Sequence, residues 1–342
     1  MIAALVSACA SNGSAGGGGA PGLDGAGGQP SAPASAATSA TTGATSTPAA
    51  AAEPGILAVT KAGALVRLDP ATGVVRQTLV RSGVLGDEIS ASAGTIYFAV
   101  RNGCNGTIKS VPAGGGRAAV VTAGSLPAIS PDGTKLAYAS QPSLTEACQG
   151  TGNPVPLYSL KIRSLSSGAT VTLPQVPASQ DTGLPAPISH LSWAADNNHL
   201  AVSIASVEDN EGWAVNVVDT GAAHYYLAGS GVTTLPVTGA PNRADSYLRE
   251  GAYLPDGGLF VSRACCAGFP VRNTSRLMWE VGPDGVLRHQ VAVGFADLDH
   301  TSLAVSPDGR WLLYLAGNDL YVSSGGARPR LLTTGLIAAA WG

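Results

Sequence analysis

Short apolar runs separated by turn residues begin at Pro54 and continue to the end of the 342-residue chain. Apolar and polar residues alternate within the runs, so we predict an all-β domain over residues 54–342. Four segments share one arrangement, in which two apolar runs flank a turn that contains an aspartate, namely Asp132, Asp196, Asp256 or Asp308. These segments are residues 126–140, 190–204, 250–263 and 302–316, and residues 88–100 are a weaker copy.

Two further strands follow each of these hairpins, as in residues 107–123 and 158–174. A four-stranded unit that recurs in this way is typical of a β-propeller blade. Residues 55–80 offer only three strands, whereas 336–342 is a single strand that places Trp341 at the position of Trp193. Pairing the two ends would complete a blade and remove open sheet edges. We therefore predict a six-bladed β-propeller of four-stranded antiparallel blades, closed by the C-terminal strand.

The sequence Ser-Pro-Asp-Gly, followed by an apolar strand, occurs at Ser130–Gly133 and at Ser306–Gly309. It resembles the WD40-like repeat of the TolB-like six-bladed propellers of bacterial envelopes, and the resemblance covers about residues 54–342. The resemblance implies the architecture but transfers no partner, because one fold serves many functions. The same repeat occurs in propellers fused to serine peptidases, but this chain has no Gly-x-Ser-x-Gly nucleophile motif.

The first nine residues indicate export. Val6-Ser7-Ala8-Cys9 resembles the lipobox of bacterial lipoproteins, in which small residues precede a cysteine that receives lipid. There is no basic n-region and the apolar stretch is short, which a start codon assigned too far downstream would explain. The alternative is an alanine-rich leader that contains Cys9 by chance. As a lipobox, the motif predicts lipidation at Cys9 and anchoring to the outer face of the bacterial cytoplasmic membrane.

Residues 10–53 are rich in Gly, Ala, Ser, Thr and Pro, with no aromatic residue and a single leucine, Leu23. Such a segment buries too little apolar surface to fold. We predict a disordered tether with a root-mean-square span of about 35 Å. A terminal tail without a function is the alternative.

Long insertions interrupt the regular pattern at four places. All four belong to the face formed by the b–c loops (between the second and third strands of a blade) and by the links between blades. Binding sites often lie in such loops on a regular scaffold, although neutral variation of surface loops is the alternative. The insertions are Gln141–Pro156, Gln175–Pro187, Gly229–Leu248 and Cys265–Thr274.

Four cysteines remain when Cys9 is set aside, an even number that favours disulfides in an exported chain. Cys104 and Cys148 lie in the b–c loops of adjacent blades, so we predict a bond between them. Cys265 and Cys266 are neighbours, and a bond between them would be strained. The pair could staple the structure, form a stiff apolar platform for a ligand or, when reduced, bind a soft metal.

Glu88, His190 and Glu250 occupy one equivalent position near the start of the innermost strands. Arg249 and His300 lie in the linking segments just upstream, together with Asp87, Asp297 and Asp299. We predict that these side chains line the central channel, where they could hold a cation or a polar ligand. A water-filled channel with a polar mouth is the alternative.

The composition excludes several classes of function. With 19 Lys and Arg against 22 Asp and Glu, the net charge of −3 does not suit a nucleic-acid binder. No run of about 18 apolar residues predicts a membrane-spanning helix in the mature protein. There is no phosphate loop between a strand and a helix and no metal-enzyme motif, so we expect no cofactor, no metal and no assigned catalytic residue. We expect a monomer.

The resulting prediction is a membrane-tethered, non-enzymatic propeller whose loop-rich face binds an envelope protein, a peptide or a glycan. Candidates for an apolar patch on that face are Tyr225, Tyr226, Tyr247 and Phe269. One alternative is a lyase or glycosidase-like enzyme that uses Glu88, His190 and Glu250 around the channel. The other alternative is a small-ligand sensor with the Cys265–Cys266 pair in its pocket.

Overall fold

Strands make up the regular structure of the residues that can be described. The computed structural model describes residues 55–102, 105–140, 159–174, 187–204, 214–222, 224–227, 247–264, 278–283, 287–291, 300–324 and 327–342. Within these ranges, 24 strands form six sheets of four antiparallel strands each. The predicted six-bladed β-propeller is therefore confirmed.

Each blade contributes one strand to each of four positions, from the axis outward. The innermost strands are β4 (Val84–Ser92), β8 (Ser125–Ile129), β12 (Ile188–Trp193), β16 (Tyr247–Tyr253), β20 (His300–Val305) and β24 (Leu336–Trp341). The second strands are β1 (Ile56–Thr60), β5 (Thr95–Asn102), β9 (Lys135–Ser140), β13 (His199–Ile204), β17 (Leu259–Ala264) and β21 (Trp311–Ala316). The third strands are β2 (Leu65–Leu68), β6 (Asn105–Pro112), β10 (Ser159–Ser164), β14 (Ala214–Asp219), β18 (Met278–Val281) and β22 (Asp319–Ser324). The outer strands are β3 (Val75–Val80), β7 (Ala119–Ala123), β11 (Thr170–Thr172), β15 (His224–Leu227), β19 (Leu287–Val291) and β23 (Arg330–Thr334).

The two ends of the described chain meet in blade 1, which consists of β24, β1, β2 and β3. Blades 2 to 6 follow in chain order with four consecutive strands each. In blade 1, β24 pairs with β1 in antiparallel register, from Ile56 opposite Trp341 to Thr60 opposite Leu336. The amides of Gly55 and Gly342 donate to each other's carbonyl oxygens at 3.0 and 2.9 Å. The predicted closure by the C-terminal strand is therefore confirmed.

The apolar cores lie between neighbouring blades. Between blades 1 and 2, Phe98 is fully buried in a cluster that includes Leu57. Between blades 5 and 6, Phe260 and Tyr314 are fully buried together. Each blade is thus held by its neighbours on both faces, because neither face of a sheet can remain exposed in the interior of the ring.

The Ser-Pro-Asp-Gly turns share one hydrogen-bond network. The Ser306 hydroxyl donates to Asp308 Oδ1 at 2.6 Å and accepts from the Trp311 amide at 2.9 Å. Ser130 makes the same pair of contacts in blade 3. These bonds to Ser306 and to the Arg310 amide lower the pKa of Asp308. Gly309 has a φ of 72°, which explains the glycine at this point of the turn.

Replacing Ser306 with alanine is expected to lower the free energy of unfolding by about 1–2 kcal/mol, because the partly buried Trp311 amide loses its acceptor and the Asp308 carboxyl loses a donor. Urea denaturation followed by circular dichroism measures the change. The control is Ser167→Ala, which alters an exposed turn and should shift the value by no more than about 0.5 kcal/mol. Equal stabilities of the two variants would contradict the role assigned to Ser306.

Several predictions concern residues outside the described ranges. These are the lipobox with Cys9, the tether over 10–53, most of the four insertions, Asp297, Asp299, Phe269 and the cysteines Cys104, Cys148, Cys265 and Cys266. They remain predictions. Within the part of the chain that is described, no helix combines the length and the hydropathy that a bilayer crossing requires.

Candidate functional site

All six innermost strands carry an irregularity at a corresponding level of the blade. The register between first and second strand shifts there in every blade. Ser189 is the extra residue in β12 and Arg249 is the extra residue in β16, directly before His190 and Glu250. Such bulges interrupt the ladder and turn the local side chains and amides in new directions. Here they let backbone amides of one blade face polar side chains of another.

Glu88 and His190 meet in the interior. The Leu191 amide donates to Glu88 Oε2 at 3.3 Å, and His190 Nδ1 lies 3.3 Å from Glu88 Oε1. Glu88 is 9% exposed and His190 is 7% exposed. The contact joins blade 2 to blade 4, although blade 3 stands between them in the ring. We refer to Glu88, His190 and Leu191 as the Glu88 clasp.

The residues of blade 3 explain why Glu88 reaches past it. In blade 3 the position equivalent to Leu191 is Pro127, which has no amide hydrogen to donate. The position equivalent to Glu88 is Leu126, whose side chain offers no acceptor to blade 4. Blade 3 therefore offers no amide hydrogen at Pro127 for the Glu88 carboxyl to accept. It also offers no side-chain acceptor at Leu126 for the Leu191 amide. The clasp satisfies both groups at once.

Glu250 also accepts a hydrogen bond from a backbone amide of another blade. Its Oε2 accepts a hydrogen bond from the Leu303 amide in blade 6 at 3.3 Å. In blade 5, the Gly251 amide donates to Ser203 Oγ of blade 4 at 3.1 Å. Glu250 is 7% exposed and thus buried between blades. The two carboxyl groups that the sequence places at equivalent positions hold different amides of different blades.

Arg249 and His300 belong to the innermost strands of blades 5 and 6. Arg249 is half-buried in the bulge of β16. His300 is fully buried at the start of β20, and its ring packs edge-on against Tyr314 with 5.3 Å between the centroids. The structure therefore brings Glu88 and His190 together and places His300 in the apolar packing of blades 5 and 6.

Burial determines the protonation of His190. Desolvation disfavours the imidazolium ion and lowers the pKa of His190 to about 4. The Glu88 carboxyl at 3.3 Å favours the charged ring, but desolvation is the stronger influence. His190 is accordingly neutral at pH 7.

This shift makes the stability of the protein depend on pH. Between about pH 6.5 and pH 4 the unfolded chain binds a proton at His190 that the folded chain does not, so the free energy of unfolding falls as the pH is lowered, by up to roughly 3 kcal/mol. Urea titrations across this range should show the loss in the parent and a smaller loss in His190→Asn. Asparagine keeps a side-chain N–H near Glu88.

The control for this experiment is His199→Asn, which changes an exposed imidazole. It should retain the loss of stability that the parent shows. Parallel curves for the parent and His190→Asn would contradict the assignment of the pH dependence to His190.

A cavity of about 460 Å³ lies on the propeller axis, and we call it the axial cavity. All six innermost strands contribute to its wall. It extends from the level of Glu88 and His190 to the a–b turns (between the first and second strands of a blade), where its wall includes Pro131, Pro255 and Pro307. Glu250 is not among the described residues that line it. The cavity therefore lies toward the short turns, whereas the sequence directed attention to the opposite, loop-rich face.

Serine hydroxyls along the axial cavity also join the blades. Ser90 Oγ accepts from the Ile129 amide at 2.9 Å, and Ser192 Oγ accepts from the Tyr253 amide at 3.0 Å. Ser90 follows Glu88 by two positions, and Ser192 follows His190 by two positions. The sequence therefore already indicated that these serines share a face of the strand with the clasp residues. Within the described ranges, no three His, Cys, Asp or Glu side chains are grouped so as to hold a metal ion.

Comparisons with known proteins add the following. No protein-family model matches the chain, and no curated protein matches it in sequence. Among solved structures, it is similar to a Kuenenia stuttgartiensis hydrazine synthase, with 13% identity, a TM-score of 0.48, and 76% of this chain and 70% of that chain covered. The β-propeller domain of Cps50 (Swd1) from Myceliophteria thermophila has 12% identity and a TM-score of 0.46, with 81% of each chain covered.

The β-propeller domain of the trilobed protease from Pyrococcus furiosus is also similar, with 14% identity, a TM-score of 0.42, and 71% of this chain and 69% of that chain covered. With TM-scores below 0.5, these likenesses carry no argument about what this chain binds or does. The evidence for the fold is the strand order and closure of the chain itself.

Proposed function

We propose that this protein is a β-propeller binding module of the bacterial cell envelope, tethered to the membrane through Cys9, which binds a protein, a peptide or a glycan without converting it. The observation that carries the proposal is the use of its buried carboxyl groups. Glu88 and Glu250, the acidic candidates for catalysis, accept hydrogen bonds from backbone amides of other blades.

A catalytic carboxyl group must reach the substrate and exchange a proton with it. One Glu88 oxygen lies 3.3 Å from the Leu191 amide and the other lies 3.3 Å from His190 Nδ1. Glu250 is buried and is absent from the described wall of the axial cavity. Both groups are thus engaged in holding blades together, which favours binding over catalysis.

A lyase or glycosidase-like enzyme is the second candidate, because Glu88 and His190 both line the axial cavity. The parent protein should release no nitrophenol from a panel of p-nitrophenyl glycosides. Release that disappears in a folded Glu88→Gln variant would favour the enzyme and overturn the binding module. The sensor alternative depends on Cys265 and Cys266, outside the described residues.

The tether is tested by growth of the expressing bacterium with radioactive palmitate, followed by membrane fractionation. The parent should carry label and sediment with membranes, whereas Cys9→Ser should do neither because no thiol receives the lipid. The matched control is Cys104→Ser, which should keep the label. Equal labelling of parent and Cys9→Ser would refute lipidation at Cys9.

A further inference from the structure

The wall of the axial cavity offers neutral hydrogen-bonding groups. Ser90, Ser192 and Ser302 are half-buried on three different innermost strands and line the cavity. The hydroxyl oxygens of Ser90 and Ser192 accept hydrogen bonds from backbone amides, so each hydroxyl hydrogen can still donate to a ligand. These hydroxyls suit a ligand that can both donate and accept hydrogen bonds.

Aromatic rings stand at the next level of the cavity. Tyr253 and Trp341 are half-buried and line it, three residues beyond the level of Glu250 on their own strands. Burial raises the pKa of Tyr253, so the phenol is neutral and can donate a hydrogen bond. Flat rings beside hydroxyl groups can contact a ligand that has apolar C–H faces and polar edges.

Two residues of the cavity wall each have a buried ring nitrogen without a hydrogen-bond partner among the described residues. His190 Nε2 and Trp341 Nε1 make no hydrogen bond to any described residue. A buried polar atom without a hydrogen-bond partner destabilises the folded protein. Both nitrogens have almost no accessible surface, so a hydroxyl-bearing ligand would pair with them only after a small turn of the rings, and an apolar ligand could not pair with them at all.

The charge of the wall narrows the choice of ligand further. No Lys or Arg occurs among the described residues that line the cavity, so nothing there compensates an anion. Among the described lining residues, Glu88 is the one carboxylate. Its oxygens are used in the Glu88 clasp, so an ammonium group would not gain an uncommitted counter-ion from it. A neutral, polyhydroxylated ligand fits both conditions.

We propose that the axial cavity binds a neutral saccharide of one or two rings, with the serine hydroxyls contacting its hydroxyl groups and Tyr253 and Trp341 contacting its C–H faces. The volume of about 460 Å³ lies in the range of roughly 300–1,000 Å³ that small-ligand sites have. The inference rests on the proposed binding function and names the ligand class of one site.

Titration calorimetry on the full chain tests this, with D-glucose, N-acetyl-D-glucosamine and maltose as neutral probes. Pentylamine and glucose 6-phosphate are the charged probes. At least one neutral sugar should bind saturably at one site, and neither charged probe should bind more tightly. Absence of binding by all three sugars, or preference for the amine or the phosphate, would overturn the inference.

Two matched variants locate the site. Ala304→Leu fills the cavity and should weaken sugar binding by about tenfold or more, whereas Ala119→Leu makes the same change on the exposed outer strand β7 and should bind like the parent. If Ala304→Leu does not fold, Ala340→Leu, at another lining position, replaces it. Sugar binding that survives the filled cavity refutes this site.

The two proposals fail separately. A parent protein that carries no palmitate label contradicts the membrane tether. A parent protein that cleaves glycosides contradicts the non-enzymatic binding module. Titrations that show no sugar binding, together with normal labelling and no cleavage, remove only the saccharide and leave a protein or peptide as the partner.

Discussion

A chain that lacks residues 336–342 is expected to lose its cooperative fold. The deletion removes β24, the innermost strand of blade 1, with five residue pairs to β1 and the buried side chains of Leu336, Ala338 and Ala339. Each ladder hydrogen bond contributes about 1 kcal/mol net, and burial of the leucine contributes about 2 kcal/mol. The deletion should therefore lower the free energy of unfolding by about 6–8 kcal/mol. This is comparable with the whole stability of a typical domain, about 5–15 kcal/mol.

Near-ultraviolet circular dichroism and urea denaturation measure the effect. The deleted chain should show little tertiary signal, because Ile56 to Val59, fully buried in the parent, would lie at an open sheet edge. Addition of the peptide LIAAAWG should restore part of the signal, which distinguishes loss of closure from general damage. A cooperative transition at the urea concentration of the parent would contradict the role of β24.

The second large effect is expected at the Glu88 clasp. Glu88→Leu leaves the Leu191 amide and His190 Nδ1 without their acceptor in the interior, which should lower the free energy of unfolding by about 2–5 kcal/mol. Glu88→Gln keeps one amide oxygen as an acceptor and should cost only about 1 kcal/mol. Urea denaturation at pH 7 measures both variants.

A double-mutant cycle with His190→Leu separates the two halves of the clasp. The effects of Glu88→Leu and His190→Leu should not add, with a coupling of about 0.5–3 kcal/mol, since the side chains are in contact. Additive effects would mean that the contact between the two side chains contributes nothing to stability. A Glu88→Leu variant as stable as the parent would refute the clasp itself.

Much of the architecture was readable from local signals. Trp341 lies opposite Ile56 as Trp193 lies opposite Leu200, which is the equivalence that the sequence predicted. The three strands predicted within residues 55–80 are observed as Ile56–Thr60, Leu65–Leu68 and Val75–Val80, and the strand predicted at 336–342 is observed as Leu336–Trp341. These predictions succeeded because turn chemistry and strand alternation act over a few residues and are repeated in every blade.

The candidate site was readable only in part. The alignment placed Glu88, His190 and Glu250 at one level of their strands, but it could not show which of them meet. The alignment treated these residues as a ring around the channel. In the folded chain, Glu88 accepts a hydrogen bond from the Leu191 amide of blade 4 and Glu250 accepts one from the Leu303 amide of blade 6. Pro127, which leaves blade 3 without an amide at that level, was a signal that could have been used.

The repeated hairpins and the divided first blade therefore determine six blades and their closure from the sequence alone, because each of these features depends on neighbouring residues and on backbone pairing. The position of the axial cavity and the partner of each buried polar group depended on the assembled ring. Glu88 and Leu191 are 103 residues apart, and only the packing of six bulged strands around an axis brings the carboxyl group to that amide.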